Sequence, residues 1–266
     1  RHGRLPSAEP ESSAALTDYF KDEGMEVLSG LAYERVVQAN GAVILHARRS
    51  GEAVEIKAER LLLATGRVPN SASLKLDVAG IKTDARGGIV TDAGMQTSRA
   101  GVYAAGDVTG RDQFVYMAAY GAKIAAQNAI QGAGMAYDSA AMPEVVFSDP
   151  QVASVGLTEE GARALGLEVA TSLLPLEHVP RALAARDTRG LIKLVAEAGS
   201  KRLLGAHILA PEGADSIQTA AMAIAAGMTY EALGAMIFPY LTNVEGLKLA
   251  AQTFEKDVAT LSCCAG

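Results

Sequence analysis

The residues best suited to chemistry begin with two adjacent thiols, Cys263 and Cys264, which are the two cysteines of the 266-residue sequence. Neighbouring Cα atoms lie about 3.8 Å apart across a trans peptide, below the roughly 4.4 Å at which ordinary disulfides begin. The pair is therefore predicted to act as reactive thiols or as ligands of a soft metal ion. An incidental pair without function is the alternative.

A second candidate is the stretch Gly101-Val-Tyr-Ala-Ala-Gly-Asp-Val-Thr-Gly110, in which apolar residues run into a turn of small residues. Gly106 would let the backbone approach a ligand closely, and the carboxylate of Asp107 is placed to accept hydrogen bonds from hydroxyls. The stretch predicts a ligand-binding turn between a strand and a helix. A β-turn with an Asx cap fits the same residues.

Tyr240 is followed five positions later by Glu245. Its phenol, with an ordinary pKa of about 10, is a poor proton donor at neutral pH. Taken by itself, Tyr240 is most simply a buried structural tyrosine, because such residues routinely find a hydrogen-bond partner.

The elements that must position these residues follow from the apolar patterns. We expect helices over 7–21 and over 114–130, the latter rich in alanine and glycine and packed on nearly all sides. Short strands are predicted at 25–28, 89–90 and 101–105. A meander is also predicted, in which Asn40-Gly41 and Ser50-Gly51 form the turns between consecutive strands. Its strands are predicted at 31–37, 42–48 and 53–57, and a buried central parallel strand at 60–66.

After a boundary at 141–143, strands come first and helices later, which indicates an α+β domain. Its strands are predicted at 144–147, 151–156, 168–176, 190–197 and 203–210. Helices are predicted at 158–166, 215–226 and 230–237.

Composition excludes several classes of protein. The net charge is −6, from 24 basic and 30 acidic residues, and no basic patch with interleaved aromatics occurs, so nucleic acid is not an expected partner. Apolar runs are short and broken, and no signal peptide is recognisable near Arg1. We expect a cytoplasmic protein without membrane insertion.

Several stretches together resemble the FAD-dependent pyridine nucleotide-disulfide reductases, and specifically the members that reduce Hg(II). They are the 101–110 turn, Gly66-Arg-Val-Pro-Asn70, Phe147-Ser-Asp-Pro-Gln-Val-Ala-Ser-Val-Gly156, Val179-Pro-Arg-Ala-Leu183, Asp187-Thr-Arg-Gly190, Phe238-Pro-Tyr-Leu-Thr-Asn-Val-Glu-Gly-Leu-Lys-Leu-Ala250 and the 261–266 tail. The similarity covers essentially the whole chain.

The resemblance implies roles for these residues. Asp107 and Gly106 would bind FAD, with Phe114 and Val115 lining the flavin at a helix N-terminus. Gly66 and Arg67 would belong to the nucleotide sites, and Arg1 and His2, with Arg4, to a site for the 2′-phosphate of NADPH, although a solvated basic tail is the alternative. The residues with implied cofactor roles are Gly66, Arg67, Gly106, Asp107, Phe114, Val115, Arg1 and His2.

The resemblance also implies a site for Hg(II) as substrate. Tyr240 stands where disulfide reductases present a histidine to protonate a leaving thiolate, so ordinary disulfide reduction is disfavoured. Tyr240 would contact the metal ion beside Glu245, and Cys263 and Cys264 would deliver Hg(II) to the partner subunit of a homodimer.

The implied fold is α/β nucleotide-binding portions (partial NADPH and FAD domains) followed by an α+β dimerisation domain. The implied boundaries are 1–68 for the end of the NAD(P)H domain, 69–141 for a returning segment of the FAD domain, and 142–266 for the interface domain. The chain would be the carboxyl-terminal part of the enzyme and inactive alone. A dihydrolipoamide dehydrogenase-like enzyme and a non-catalytic dimer that sequesters soft metals are the alternatives.

Overall fold

The structure, a computed structural model, describes residues 8–260. The chain divides into two compact units, of which Leu61–Ser139 is one and the rest of the described chain is the other. None of the helices within residues 8–260 has the length and apolar character that a membrane span requires. The domain boundaries at 68/69 and 141/142 remain predictions.

The larger unit opens with a helix and a three-stranded antiparallel meander. Helix α1 (Pro10–Asp22) starts with proline at its first turn, where the missing N–H costs no hydrogen bond. The predicted meander is confirmed as β1 (Leu31–Ala39), β2 (Ala42–Arg49) and β3 (Glu52–Ala58), in the order β1-β2-β3. Both connecting turns use left-handed backbone, with φ of 52° at Asn40 and at Ser50, as two-residue hairpins require.

The same unit contains a five-stranded antiparallel sheet with the order β4-β5-β8-β7-β6. Its strands are β4 (Pro143–Val146), β5 (Gln151–Gly156), β6 (Val169–Pro175), β7 (Leu191–Glu197) and β8 (Leu203–Ala210). The helices are α3 (Glu159–Ala164), α4 (Pro180–Ala185), α5 (Gly213–Ala225), α6 (Tyr230–Ala235) and α7 (Glu245–Gln252). The predicted strands and the helices α3, α5 and α6 are confirmed, which makes this an α+β arrangement; α4 and α7 were not predicted.

Alternation along the strands gives the sheet two apolar faces. One face packs against α5 and α7 in the main core, where Ile192, Leu194 and Ile208 are fully buried. The other face is covered by α1, whose Leu16 is buried together with neighbours on three strands: Val152, Leu191 and Leu209. Both faces are therefore covered, one by two helices and the other by one.

The smaller unit consists mainly of turns and one long helix, α2 (Val115–Gln131). Its core is formed by Met95, Ile124 and Ala125, with aromatic rings packed around them. The predicted strands at 89–90 and 101–105 are wrong as strands, because this stretch forms only isolated bridges such as Gln96 with Tyr103.

Three further expectations are wrong. Residues 25–28 and 60–66 are not strands, and the leucines at 62 and 63 are 87% and 74% exposed. A central strand needs hydrogen-bonded neighbours on both sides, and no other strand of residues 8–260 pairs with either stretch. Helix α2 buries one stripe only, since Val115 and Ile130 are 90% and 82% exposed. The low charge of this segment indicates that its helix can be buried, but it does not show how many faces of the helix are buried.

Candidate functional site

The turn that precedes α2 is shaped by a glycine in close contact with that helix. Gly106 has φ of 76°, and a Cβ added there would lie 2.9 Å from the Cβ of Ala118. Any side chain would therefore push the turn away from α2 and strain the backbone. Asp107 begins a single turn of 3₁₀ helix over Asp107–Thr109, which the Thr109 hydroxyl secures by donating to the Gly106 carbonyl at 2.8 Å.

The side chains at this turn are available to a ligand. Asp107 is exposed, and its carboxylate accepts no hydrogen bond from the residues that the structure describes. No side chain caps the N-terminus of α2 at Phe114, and the ring of Phe114 stacks on that of Tyr116 with centroids 5.3 Å apart. A free carboxylate and an uncapped helix start fit the ribityl chain and the electron-rich edge of a flavin.

The Gly66-Arg67 segment lies in the same unit and contacts the segment that leads into α2. Gly66 has φ of 123°, and the guanidinium Nη1 of Arg67 donates to the carbonyl of Gln113. The structure thus brings the Arg67 side chain to the segment that leads into α2. The contact joins positions that are 46 residues apart in the sequence.

The Tyr240–Glu245 segment forms a second candidate site, in the larger unit. Glu245 is 2% exposed, and its Oε2 accepts a hydrogen bond of 3.2 Å from the backbone N–H of Leu241. Leu241 has a left-handed backbone with φ of 65°. The adjacent Tyr240 side chain is 63% exposed. Glu245 therefore holds the turn that presents Tyr240 to the outside.

Thr242 reinforces this turn. Its hydroxyl donates to the carbonyl of Pro239 at 2.8 Å and accepts from the N–H of Glu245 at 3.3 Å. The interpretation of Tyr240 as a buried structural residue does not fit its exposure. The predicted residues Arg1, His2, Cys263 and Cys264, and also Arg4, lie outside the described residues.

Sequence reasoning missed a buried ionic cluster centred on Lys193. The Nζ of Lys193 lies 2.9 Å from a carboxylate oxygen of Glu9, 2.8 Å from one of Glu11 and 2.9 Å from one of Glu159. His207, on the neighbouring strand β8, lies 3.8 Å from Glu9 through its Nε2. The three carboxylate oxygens could hold a metal ion by their spacing, but the lysine ammonium occupies that position.

Burial and neighbouring charges shift the pKa values of the groups in this cluster. Burial lowers the pKa of Lys193, but the hydrogen bonds that its ammonium donates to the three carboxylates outweigh burial and hold that pKa above its usual range. The hydrogen bond from Lys193, with a second from Arg163, keeps the pKa of Glu159 low. Burial lowers the pKa of His207, whose Nε2 lies 3.1 Å from the Leu157 carbonyl. The cluster is thus a buried ionic element centred on Lys193, in which Glu11 Oε2 and His207 Nδ1 have no hydrogen-bond partner among the described residues.

Comparison with known proteins assigns the chain to a family. The family described as "Pyridine nucleotide-disulphide oxidoreductase" matches residues 1–136, and that described as "Pyridine nucleotide-disulphide oxidoreductase, dimerisation domain" matches residues 142–251. The predicted order, nucleotide-binding portions followed by an α+β dimerisation domain, is confirmed. Proteins of this family use FAD and a nicotinamide nucleotide.

Individual relatives agree with this assignment. The chain is 50% identical over 258 residues to a mercuric reductase of Acidithiobacillus ferrooxidans and 49% identical over 264 residues to one of Shigella flexneri. Each match covers 97% of this chain and 46% of the relative, so the chain spans about half the length of these curated relatives.

A solved structure shares the fold. The HOCl-induced flavoprotein disulfide reductase RclA from Escherichia coli, solved as a Cu(II) complex, matches with a TM-score of 0.84 and 29% identity. This match covers 93% of this chain and 56% of that one. Because family matches extend over both parts of the sequence, the chain belongs to the pyridine nucleotide-disulphide oxidoreductase family.

Proposed function

We propose that the chain is the carboxyl-terminal part of a reductase that converts Hg(II) to Hg(0) with electrons from NADPH. The observation that carries this proposal is Tyr240, an outward-facing phenol at the position where a disulfide reductase needs a proton donor. The similarity to mercuric reductases over 97% of the chain supports the same substrate. In the net reaction NADPH and Hg(II) give NADP⁺, a proton and Hg(0).

When bound, FAD supplies the two-electron relay between NADPH and the metal ion. The exposed Asp107 carboxylate would accept hydrogen bonds from the ribityl hydroxyls, and Gly106 would hold Asp107 beside the cofactor by letting the turn pack against Ala118 of α2. The uncapped start of α2, beside Phe114 and Val115, would place a partial positive charge where the flavin collects negative charge on reduction. Gly66 and Arg67 would support the same site.

On the substrate side, Cys263 and Cys264 would capture Hg(II), because thiolates are the protein ligands that match this soft ion. They would pass it toward the flavin of the partner subunit, where Tyr240 contacts it through the phenol oxygen. Glu245 would act on Tyr240 by holding the Leu241 turn, so we assign it a positioning role. Arg1 and His2 would contact the 2′-phosphate of NADPH.

The proposed assembly is a homodimer in the cytoplasm. The family's dimerisation domain matches residues 142–251, and four apolar side chains between α6 and α7 are exposed in the structure. They are Met236, Ile237, Tyr240 and Leu241, with exposed fractions from 39% to 97%. We call this set the 236–241 patch and propose that it packs against a second copy of the chain.

The substitution Tyr240→Phe in the intact reductase tests the substrate. It removes only the phenol oxygen, so Hg(II)-dependent NADPH oxidation should fall by about tenfold or more, which corresponds to about 1.4 kcal/mol of transition-state stabilisation. The ability of NADPH to bleach the flavin absorbance should stay unchanged. Tyr33→Phe is the matched control, because Tyr33 is also exposed, at 68%, and lies on β1.

Three results would contradict the proposal. The first is equal Hg(II) turnover by Tyr240→Phe and the unsubstituted enzyme. The second is rapid turnover of lipoamide without turnover of Hg(II), which would favour a dihydrolipoamide dehydrogenase-like enzyme. The third is an unsubstituted protein that binds Hg(II) without reducing it and loses this binding in the double variant Cys263→Ala, Cys264→Ala, which would favour sequestration.

A further inference from the structure

Tyr137 connects helix α2 to the loop that leads into it. This loop comprises residues 110–113 and ends at Phe114, the N-cap of α2. The phenol O–H of Tyr137 donates to Oδ2 of Asp112 at 2.9 Å. The guanidinium carbon of Arg111 lies 4.7 Å from the centroid of the Tyr137 ring. Two consecutive charged residues of the loop therefore contact a single tyrosine.

Tyr137 is itself held in place by α2 and by a neighbouring turn. Its backbone N–H donates to the carbonyl of Ala93 at 2.8 Å. Its ring lies against that of Tyr120 on α2, with centroids 5.3 Å apart, and a Cβ added at Gly121 would lie 3.3 Å from its Cε2 atom. Burial and the hydrogen bond to Asp112 raise the pKa of Tyr137, so the phenol remains a donor at neutral pH. The hydroxyl therefore has a defined position from which it holds the loop.

The place of Asp112 in the chain makes this contact relevant to the helix start. Asp112 lies two positions before the N-cap, and a negative side chain near a helix N-terminus is stabilised by the partial positive charge there. Yet within the described part of the chain no side chain caps α2, and Asp112 binds Tyr137 with a left-handed backbone of φ 30°. The carbonyl of Gln113 is also engaged elsewhere, since it accepts from Arg67. The loop thus holds its acid against a residue 25 positions away rather than as a cap of the helix.

We propose that Tyr137 is a positioning residue for the flavin, which prevents the negative charge of Asp112 from neutralising the N-terminus of α2. The inference rests on the proposed function, in which this helix start faces the flavin edge that gains negative charge on reduction. The partial positive charge stabilises the reduced cofactor only while no nearby carboxylate compensates it. Without the Tyr137 hydroxyl, Asp112 would be free to turn toward the N–H groups of the first helical turn, and the reduced flavin would lose that stabilisation.

The substitution Tyr137→Phe in the intact reductase tests this role, with the midpoint potential of the bound flavin as the measurement. It removes only the phenol oxygen. The equilibrium constant for two-electron reduction of the flavin should fall by about threefold or more, which lowers the potential by about 14 mV or more. Tyr120→Phe is the matched control, because it removes the hydroxyl of the adjoining ring, which accepts from the N–H of Asp138 at 3.4 Å. Its potential should equal that of the unsubstituted enzyme.

A second substitution separates the control of charge from a general loss of structure. In the double variant Tyr137→Phe, Asp112→Asn the released side chain carries no charge, so the potential should return to that of the unsubstituted enzyme. Asp112→Asn alone should also keep that potential, because it removes a charge that Tyr137 already holds away from the helix start. A merely structural Tyr137 would give the single variant Tyr137→Phe and the double variant the same potential. The proposal is overturned by that result, or by an unchanged potential in Tyr137→Phe.

These measurements use no Hg(II), so their outcome is distinguishable from that of the proposed function. An unchanged potential in Tyr137→Phe, together with Hg(II) reduction by the unsubstituted enzyme, would remove the role of Tyr137 and leave the proposed function intact. The expected potentials in an enzyme that does not reduce Hg(II) would support the role of Tyr137 and contradict the substrate. An intact protein that binds no FAD would contradict both.

Discussion

At the scale of single residues, Lys193 is the most constrained charge in the larger unit. Its side chain is 4% exposed and contacts three carboxylates, of which that of Glu9 is 2% exposed. Removing one partner of a buried ionic group leaves the others desolvated without compensation, which costs more than the pair contributes when intact. Lys193 therefore ties α1 and α3 to the sheet.

We expect Lys193→Met to lower the free energy of unfolding by about 3 kcal/mol or more. Lys201→Met is the matched control, because Lys201 also contacts two carboxylates, those of Glu231 and Glu255, but at the surface. Exposed ion pairs contribute little, so this control should leave the urea midpoint almost unchanged. Equal midpoints for both variants would contradict the assignment of Lys193 as a buried anchor.

The sequence predicted some of these residues and could not predict others. The five-residue spacing of Tyr240 and Glu245 is local, and the structure joins them through the Leu241 N–H. Lys193 and Glu9 are 184 positions apart, and no periodicity connects them. The signal was Lys193, a charged residue among the apolar residues 191–196 of strand β7, which indicates a buried partner without identifying that partner.

At the scale of elements, β8 depends on a glycine that lies against the backbone of the chain after β5. A Cβ on Gly205 would lie 1.9 Å from the carbonyl oxygen of Leu157, and the strand ladder leaves the backbone little room to move. We expect Gly205→Ala to destabilise the unit by about 2 kcal/mol or more, measured by urea unfolding. Gly199→Ala, in the β7–β8 connection where no atom lies within 4 Å, should have almost no effect.

Local patterns predicted the elements that pair with their neighbours in sequence. The meander and the sheet strands follow from alternation and from the Asn40-Gly41 and Ser50-Gly51 turns, which are complete within a few residues. The predicted strand at 60–66 was wrong, because a parallel strand depends on partners that are distant in sequence. Helix α7 was not predicted, since its N-cap residue is Val244, whose side chain cannot cap the helix and so gives no start signal in the sequence.

At the scale of the whole molecule, the 236–241 patch should control association. We expect Ile237→Asp to weaken self-association of the chain by about tenfold or more in sedimentation equilibrium. The Ile237 side chain is 97% exposed, and a symmetric dimer would bury one such side chain from each copy. Leu165→Asp is the matched control, as Leu165 is 68% exposed and lies outside the patch. Unchanged association of Ile237→Asp would place the dimer interface elsewhere.

The order of domains could be predicted from the sequence, but the partner of α1 could not. Periodicity showed an apolar face with Leu16 on it, and it carries no information on which surface that face covers. In the structure this face packs on the five-stranded sheet beside Val152 and Leu209. Contacts of this kind depend on shape and on charges such as that of Glu9, which only the folded chain brings together.

The exposed leucines at 61–63 have a practical consequence for anyone who handles the chain by itself. They form an exposed apolar stretch outside the helices and strands of the described chain, which is the kind of segment that associates with its own copies in concentrated solution. Turbidity that grows with protein concentration would then report sticking at this stretch rather than specific dimer formation. A charged residue in place of Leu62 would keep the two effects apart.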